Sequence, residues 1–118
     1  LTHCQSQDYP KSLSQAKVRL NVNPRTEDKP PLIITRFYES MGIGFTMNDY
    51  HSTMDDIATE GKHYVGFSTV EDAVEKMQFY LTDDIKREEI GKAGKQLMLS
   101  EHTWKHRLLT ILRDYEKL

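Results

Sequence analysis

The stretch ITRFYESMGIGFTMND, residues 34–49, decides the fold that we expect for this chain. Its first half places the cation Arg36 three positions before the anion Glu39, a spacing that puts both side chains on roughly one face of a helix. Gly42 is a natural C-terminal cap for that helix. The short apolar run at 45–48 then predicts a strand, so we expect a helix that leads directly into a strand.

Regular patterns continue on both sides of this stretch. Upstream, alternating apolar residues predict a strand at 17–22. A loop at 23–31 follows, and we expect the helix to begin at Pro31 or Leu32, since proline suits a first helical turn. Downstream, periodicity predicts a helical turn or two at 54–59, a strand at 63–67, a helix at 69–81 and two further helices.

Short capping patterns mark where the later helices begin. Ser68 and Glu71 form an S-x-x-E box, which predicts the start of the first of these helices. Asp83 and Asp84 are expected to close that helix and to start the next one. Ser100 is expected to cap the last helix.

Strands and helices alternate along the chain, and this order predicts an α/β fold with a parallel sheet. We expect a Rossmann-like, three-layer half-domain, in which helices flank a small parallel sheet and two or three helices form the C-terminal end. Three strands make a small sheet, so we expect one or two further strands upstream in a longer protein. The apolar stripe expected in the core consists of Met77, Leu81, Trp104, Leu108 and Leu112.

Length and composition restrict the class of protein. The 118 residues suit one domain, and a net charge of −2 gives no sign of nucleic-acid binding. No apolar run approaches the roughly 18–20 residues that a membrane span needs, so no transmembrane segment is expected. The single cysteine, Cys4, excludes an internal disulfide framework and favours a cytoplasmic location. Because the chain begins with Leu1, we expect a piece of a longer protein.

Topology predicts where a ligand would bind. Open α/β sheets bind ligands outside the carboxyl ends of their strands. These positions are the loop at 23–31, which carries Arg25 and Lys29, the end of the second strand near Asp49, and residues 68–69. We expect them to border one cleft.

The helix in the opening stretch would begin at this edge of the sheet. A helix N-terminus binds anions, and Thr35 and Arg36 lie in or near its first turn, which predicts a seat for a phosphate. Glu39 follows one turn later, where its carboxylate could accept hydrogen bonds from ribose hydroxyls. The alternative is that Arg36 and Glu39 form a surface ion pair of only some tenths of a kcal/mol.

An ordered set of segments resembles one family. LNVNPR (20–25), TRFYESMGIGFTMND (35–49) and the segment from GKHYVGFS to LLTIL (61–112) are similar to successive parts of the C-terminal domain of GT-B glycosyltransferases. The similarity is to the CgeB-like (spore maturation protein-like), group 1 glycosyl transferases. It covers roughly residues 17–112 and includes the family's R-x-x-E-x-x-x-x-G helix.

The resemblance implies that residues 1–118 are the C-terminal Rossmann half of a two-domain glycosyltransferase that binds a UDP- or GDP-type nucleotide sugar. Glu39 would hold the ribose, and Arg36 with the helix start near Thr35 would face the diphosphate. Asn23 and Arg25 would lie in the loop over the sugar-phosphate. Neither a metal nor a cofactor is implied.

One departure from the related enzymes concerns their two glutamates eight positions apart. Glu39 matches the second, but the first would fall at Pro31, so that carboxylate is absent and the retaining or inverting outcome stays open. Glu27 and Asp28 could partly compensate. The acceptor site would come from an N-terminal Rossmann domain, so the chain alone is expected to be inactive.

Two other interpretations remain open. The chain could be a non-catalytic Rossmann-like binding or assembly module. A flavodoxin-like regulatory domain is less favoured, because Asn23 stands where a phosphorylatable aspartate is expected. His102 and His106 have the spacing of metal ligands on a helix but lack a third ligand, so we expect them to make structural hydrogen bonds.

Overall fold

The computed structural model describes residues 7–24, Lys29 and residues 32–118. Arg25 lies outside these residues. The helices are α1 (Tyr9–Gln15), α2 (Thr35–Ile43), α3 (Val70–Thr82), α4 (Asp84–Glu101) and α5 (Trp104–Glu116), and a short 3-10 helix covers Ser52–Asp56. The strands are β1 (Arg19–Asn21), β2 (Thr46–Asp49) and β3 (Val65–Phe67).

The three strands form one open sheet in the order β1-β2-β3. Both pairings are parallel, with Leu20 opposite Met47 and Asn48 opposite Gly66. The predicted α/β fold, with a small parallel sheet and helices at the C-terminal end, is therefore confirmed.

Helices cover the two faces of the sheet and make two apolar clusters. On the first face, which we call the α2 face, α2 and the second half of α4 pack over the sheet; the buried residues there are Phe37, Met41, Met54, Ala58, Tyr64 and Met98. On the opposite face, the α3 face, α3 and the first half of α4 pack over the strands; the buried residues are Phe45, Met47, Val65, Phe67, Ala73 and Ile90. The sheet thus lies between two helical layers.

Helix α4 reaches both clusters because it crosses close to the chain at the amino ends of β2 and β3. A Cβ atom on Gly91 would lie 2.9 Å from the backbone nitrogen of Phe45, and one on Gly94 would collide with the carbonyl oxygen of His63. Only glycine allows the helix to approach the backbone this closely. The crossing brings the end of α4 to the carboxyl edge of the sheet, beside the start of α2.

The expected bounds of α2 are wrong at both ends. The helix begins at Thr35, not at Pro31 or Leu32, because Ile34 is still extended. It also continues past Gly42 to Ile43 and is capped at Gly44, whose N–H donates to the Ser40 carbonyl. A Cβ atom on Gly42 would lie at ordinary contact distance from Met98.

The start of α3 is also shifted from the expected one. Thr69, one residue later than expected, caps α3 by accepting from the N–H of Asp72, and Asp72 accepts in return from the N–H of Ser68. With Thr69 as the cap, Asp72 rather than Glu71 occupies the third helical position, and its carboxylate bonds the N–H of the residue before the cap.

The last two helices begin at one expected and one unexpected cap. Asp83 ends α3 and starts α4 by accepting from the N–H of Lys86, as predicted. Ser100 lies inside α4 and does not cap the last helix, which starts at Thr103 in a capping box with His106.

The expected core stripe is mostly exposed. Met77 packs against the α3-face cluster. Trp104 is 79% exposed, Leu108 59%, Leu112 57% and Leu81 42%. The prediction was wrong for these four side chains. Leu81 lies on an exposed side of α3, and the other three lie on α5, whose apolar side no described element covers.

Candidate functional site

The carboxyl edge of the sheet holds the structure's main concentration of buried polar groups. Asn23, just past β1, is 1% exposed, and Asn48 and Asp49 at the end of β2 are 0% and 5% exposed. One carboxylate oxygen of Asp49 accepts from the backbone N–H of Asn23 and from the side-chain amide of Asn48, each at 2.8 Å. Asp49 therefore joins the chain leaving β1 to the end of β2.

The side-chain carbonyl oxygens of Asn23 and Asn48 can each accept a further hydrogen bond. Their amide nitrogens point at the sulfur of Met54, at 3.9 Å from Asn23 and 4.0 Å from Asn48. Their Oδ1 atoms are buried and have no hydrogen-bond partner among the described residues. A buried carbonyl oxygen without a partner is costly, so these atoms mark a place where the edge can accept a further hydrogen bond.

An open cleft of about 390 Å³ lies beside this edge, between the start of α2 and the corner where α4 meets α5. We call it the α2–α5 cleft; its lining residues are Ile33, Thr35, Tyr38, Glu39, His102, Thr103, Trp104 and Arg107. Thr35 and Glu39 are four positions apart, so they lie one turn apart on the same side of α2. Two of the six predicted site residues thus share one opening. Asn23, Asp49 and residues 68–69 do not line it, so the expectation that the strand ends border one cleft is wrong for these residues.

The wall formed by α5 is held in place by a chain of polar contacts. His102 Nε2 lies 3.0 Å from the carbonyl oxygen of Ile57, and Arg107 lies 2.8 Å from His102 Nδ1. Since the carbonyl can only accept, Nε2 carries the proton and Nδ1 accepts from the guanidinium. The same guanidinium lies 5.7 Å from the centre of the Tyr38 ring.

The second histidine belongs to the helix cap. His106 Nδ1 accepts from the backbone N–H of Thr103 at 3.2 Å, while Thr103 accepts from the N–H of His106. His102 and His106 therefore make structural hydrogen bonds, as predicted. Among residues 7–24, 29 and 32–118 no group of three or more His, Cys, Asp or Glu side chains is arranged to hold a metal.

Glu39 is the acidic residue among those that line the α2–α5 cleft. No described residue makes a hydrogen bond or an ion pair with its carboxylate, and the ion pair with Arg36 is not formed. Arg36 is exposed on α2 but does not line the cleft. The carboxylate therefore remains available to a ligand.

Sequence reasoning missed the half of the cleft that comes from the C-terminal residues. Tyr38 was not singled out, and Trp104 was assigned to the core. His102, for which we expected structural hydrogen bonds, makes them and also forms a wall of the cleft together with Thr103 and Arg107. The H-T-x-x-H-R sequence at 102–107 was the available signal, because it places a cap, a ring and a cation at one helix start.

The α2–α5 cleft thus lies beside the start of α2, the helix that follows β1, and polar and aromatic side chains line it. The profile of the glycosyl transferase-like family matches residues 1–113, and the chain belongs to that family. No curated protein and no solved structure gives a significant match. Among the helices that the structure describes, none combines the length and the apolar character required to cross a membrane.

Proposed function

We propose that this chain is the donor-binding domain of a glycosyltransferase and that it binds a nucleotide-diphosphate sugar in the α2–α5 cleft. The observation that carries the proposal is the carboxylate of Glu39, which faces an open cleft beside the carboxyl edge of the sheet without a partner among the described residues. Membership of the glycosyl transferase-like family supports a sugar donor as the ligand.

In this proposal, Glu39 accepts hydrogen bonds from the two ribose hydroxyls. A carboxylate offers two oxygens and can accept from both hydroxyls at once. Thr35 lies four residues earlier, about 6 Å along the helix axis at 1.5 Å per residue. A ribose beside Glu39 therefore leaves room for its phosphates beside the first turn of α2.

The start of α2 has the features of a phosphate seat. No side chain caps its first turn in the described part of the chain, and no acidic residue lies there. The free N–H groups of this turn favour an anion, and the exposed guanidinium of Arg36 adds a positive charge nearby. Arg25 is proposed to add a second cation, and Asn23 to lie under the sugar-phosphate.

The aromatic side chains give the cleft a surface for flat rings. The Trp104 indole is 79% exposed at its mouth, and Tyr38 forms part of its wall. An indole face binds a nucleobase or the apolar side of a sugar by stacking. The cleft thus combines a carboxylate, an uncapped helix and an aromatic surface.

Calorimetric titration with UDP, GDP and their sugars tests this proposal. We expect Glu39→Gln to weaken nucleotide-sugar binding by at least about tenfold, because an amide can accept from the hydroxyls through only one atom and without charge. Glu75→Gln, an exposed glutamate on α3 far from the cleft, is the matched control and should bind as the parent does. Equal affinity of Glu39→Gln and Glu75→Gln would contradict the proposed role.

We further propose that sugar transfer requires an N-terminal Rossmann domain, which supplies the acceptor site. The isolated chain should therefore bind the donor weakly and transfer nothing. Measurable sugar transfer by residues 1–118 alone would refute the proposal that a second domain is required for transfer.

A further inference from the structure

Arg107, in the first turn of α5, is the arginine that lines the α2–α5 cleft. Its guanidinium is exposed, and one of its nitrogens lies 2.8 Å from His102 Nδ1, which accepts as part of a neutral ring. In the part of the chain that the structure describes, no carboxylate pairs with this guanidinium, because the ion pairs found there lie on α3, on α4 and at the end of α5. Arg107 therefore brings an uncompensated positive charge to the cleft.

Three segments of the chain hold this guanidinium in place. From α2, the Tyr38 ring lies 5.7 Å from the guanidinium carbon and 5.8 Å from the His102 ring. After the 3-10 helix, the carbonyl of Ile57 fixes His102, whose Nε2 lies 3.0 Å away. A cation that is already oriented loses less conformational freedom when a ligand binds it.

None of these contacts neutralises the charge or uses all the donors. The imidazole, the carbonyl and the phenol ring are uncharged, and a guanidinium carries five N–H donors and no acceptor. The hydrogen bond to His102 uses Nη2, whereas Nη1 and Nε bond to no described residue. These nitrogens can donate to a further acceptor, and an anionic acceptor gives the stronger hydrogen bonds.

The cleft thus has an acid on one wall and a cation on the other. Glu39 on α2 and Arg107 on α5 line the same opening, yet no ion pair joins them within the described residues. A ligand that satisfies both must offer hydrogen-bond donors to the carboxylate and an anion to the guanidinium. A nucleoside diphosphate has both, since its ribose carries hydroxyls and its phosphates carry negative charge.

We propose that Arg107 binds the diphosphate of the donor from the α5 side, so that the phosphates lie between its guanidinium and the first turn of α2. The inference rests on the proposed donor site and adds to it a cation that lines the cleft. The planar fork of a guanidinium can donate to two oxygens of a phosphate at once. With the ribose at Glu39 and Thr35 one turn earlier, the phosphates would lie toward the wall that carries Arg107.

Arg36 is the other arginine near the start of α2, and its part in binding should be smaller. It is exposed on α2 and does not line the cleft, so its charge acts on a phosphate from a greater distance and is screened by salt. We therefore expect Arg36→Gln to weaken nucleotide binding by less than about threefold.

Titrations of the 118-residue chain with UDP, GDP and the corresponding nucleosides test the inference, with the Trp104 indole NMR signal as the readout. We expect Arg107→Gln to weaken binding of the preferred diphosphate by at least about tenfold and to change nucleoside binding by less than about twofold. Arg113→Gln is the matched control, because Arg113 is exposed on the same helix but does not line the cleft. It should bind both ligands as the parent does.

The outcomes separate this inference from the proposed function. Equal diphosphate affinity of Arg107→Gln and Arg113→Gln would overturn the role of Arg107 and leave the donor site in place. An equal loss for nucleoside and diphosphate would also overturn it, because Arg107 would then only shape the cleft. A parent chain that binds neither UDP nor GDP would contradict the proposed donor site and, with it, this inference.

Salt dependence provides a second readout that does not need nucleoside binding. A contact between Arg107 and the phosphates should make diphosphate affinity fall as NaCl is added, because salt screens the attraction between opposite charges. This fall should be less steep in Arg107→Gln than in Arg113→Gln. Equal slopes in the two variants would overturn the proposed contact.

Discussion

At the residue scale, two carboxylates near the carboxyl edge have opposite environments. Asp49 is 5% exposed and accepts from Asn23 and Asn48, whereas Glu39 faces an open cleft with no described partner. The first is suited to hold the edge together and the second to meet a ligand. Asp49 and Glu39 therefore differ in role although both lie near the carboxyl edge of the sheet.

The bonds to Asp49 should make it important for stability. Asp49→Asn keeps the size of the side chain but removes the charge from two hydrogen bonds, each of the kind that contributes about 1.5–3 kcal/mol. We expect the free energy of unfolding to fall by roughly 1–3 kcal/mol in urea denaturation. Asp56→Asn, an exposed aspartate in the 3-10 helix, should leave it unchanged within about 0.5 kcal/mol. Equal stability of the two variants would contradict this role.

Asp72 predicts a pH dependence at the start of α3. The N–H of Ser68, followed by the ammonium of Lys76, lowers the pKa of the Asp72 carboxyl below its ordinary value of 3.8. The folded state thus favours the ionised form, so its contribution to stability is present above about pH 3.8 and is lost as the pH falls through the lower, folded pKa. Asp72→Asn should flatten this acid part of the stability curve, and an unchanged curve would argue against the assignment.

At the scale of elements, the packing of α4 against the sheet depends on its glycines. Gly94→Ala would place a methyl group against the carbonyl oxygen of His63, where neither backbone can move freely. We expect the free energy of unfolding to fall by about 1–3 kcal/mol, the usual cost of overpacking.

Gly42→Ala in α2 provides the contrast. A Cβ atom there would lie 4.0 Å from that of Met98, an ordinary contact. Alanine is the better helix former, so this variant should gain about 0.5 kcal/mol or more. Urea denaturation of both variants checks the pair, and a loss of stability in Gly42→Ala would show that the α2–α4 contact is tighter than described.

The helices and strands could be predicted from the sequence where the spacing of apolar residues or a capping residue determines them. The helices and strands follow from spacing and caps, and Asp83 was identified as the junction of α3 and α4. The C-terminal bound of α2 was predicted wrongly because a glycine can either end a helix or lie inside one. Here Gly42 lies inside α2, where it packs near Met98 of α4, and this tertiary contact cannot be read from the local sequence.

At the scale of the whole molecule, local sequence patterns do not determine which apolar faces are covered. Alternation in β1 correctly places Val18, Leu20 and Val22 on one side, but the other side, with Arg19 and Asn21, is the buried one. Periodicity tells which residues share a face, whereas coverage depends on where other elements lie. The same reason explains the exposed stripe of α5.

The candidate site was predictable only in part for a related reason. Topology predicted Thr35 and Glu39 as site residues, and both line the α2–α5 cleft. Trp104 and Arg107 join them only because α4 carries the chain back across the sheet, a contact between residues more than sixty positions apart that no local pattern encodes.

The most direct test of the proposed donor site uses the single tryptophan of the chain, Trp104. Its indole N–H gives one NMR signal, which should shift progressively and saturably as a UDP- or GDP-sugar is added to the 118-residue chain. The shift should be lost in Glu39→Gln and kept in Glu75→Gln. An indole signal that stays in place at millimolar nucleotide sugar would contradict donor binding in the α2–α5 cleft.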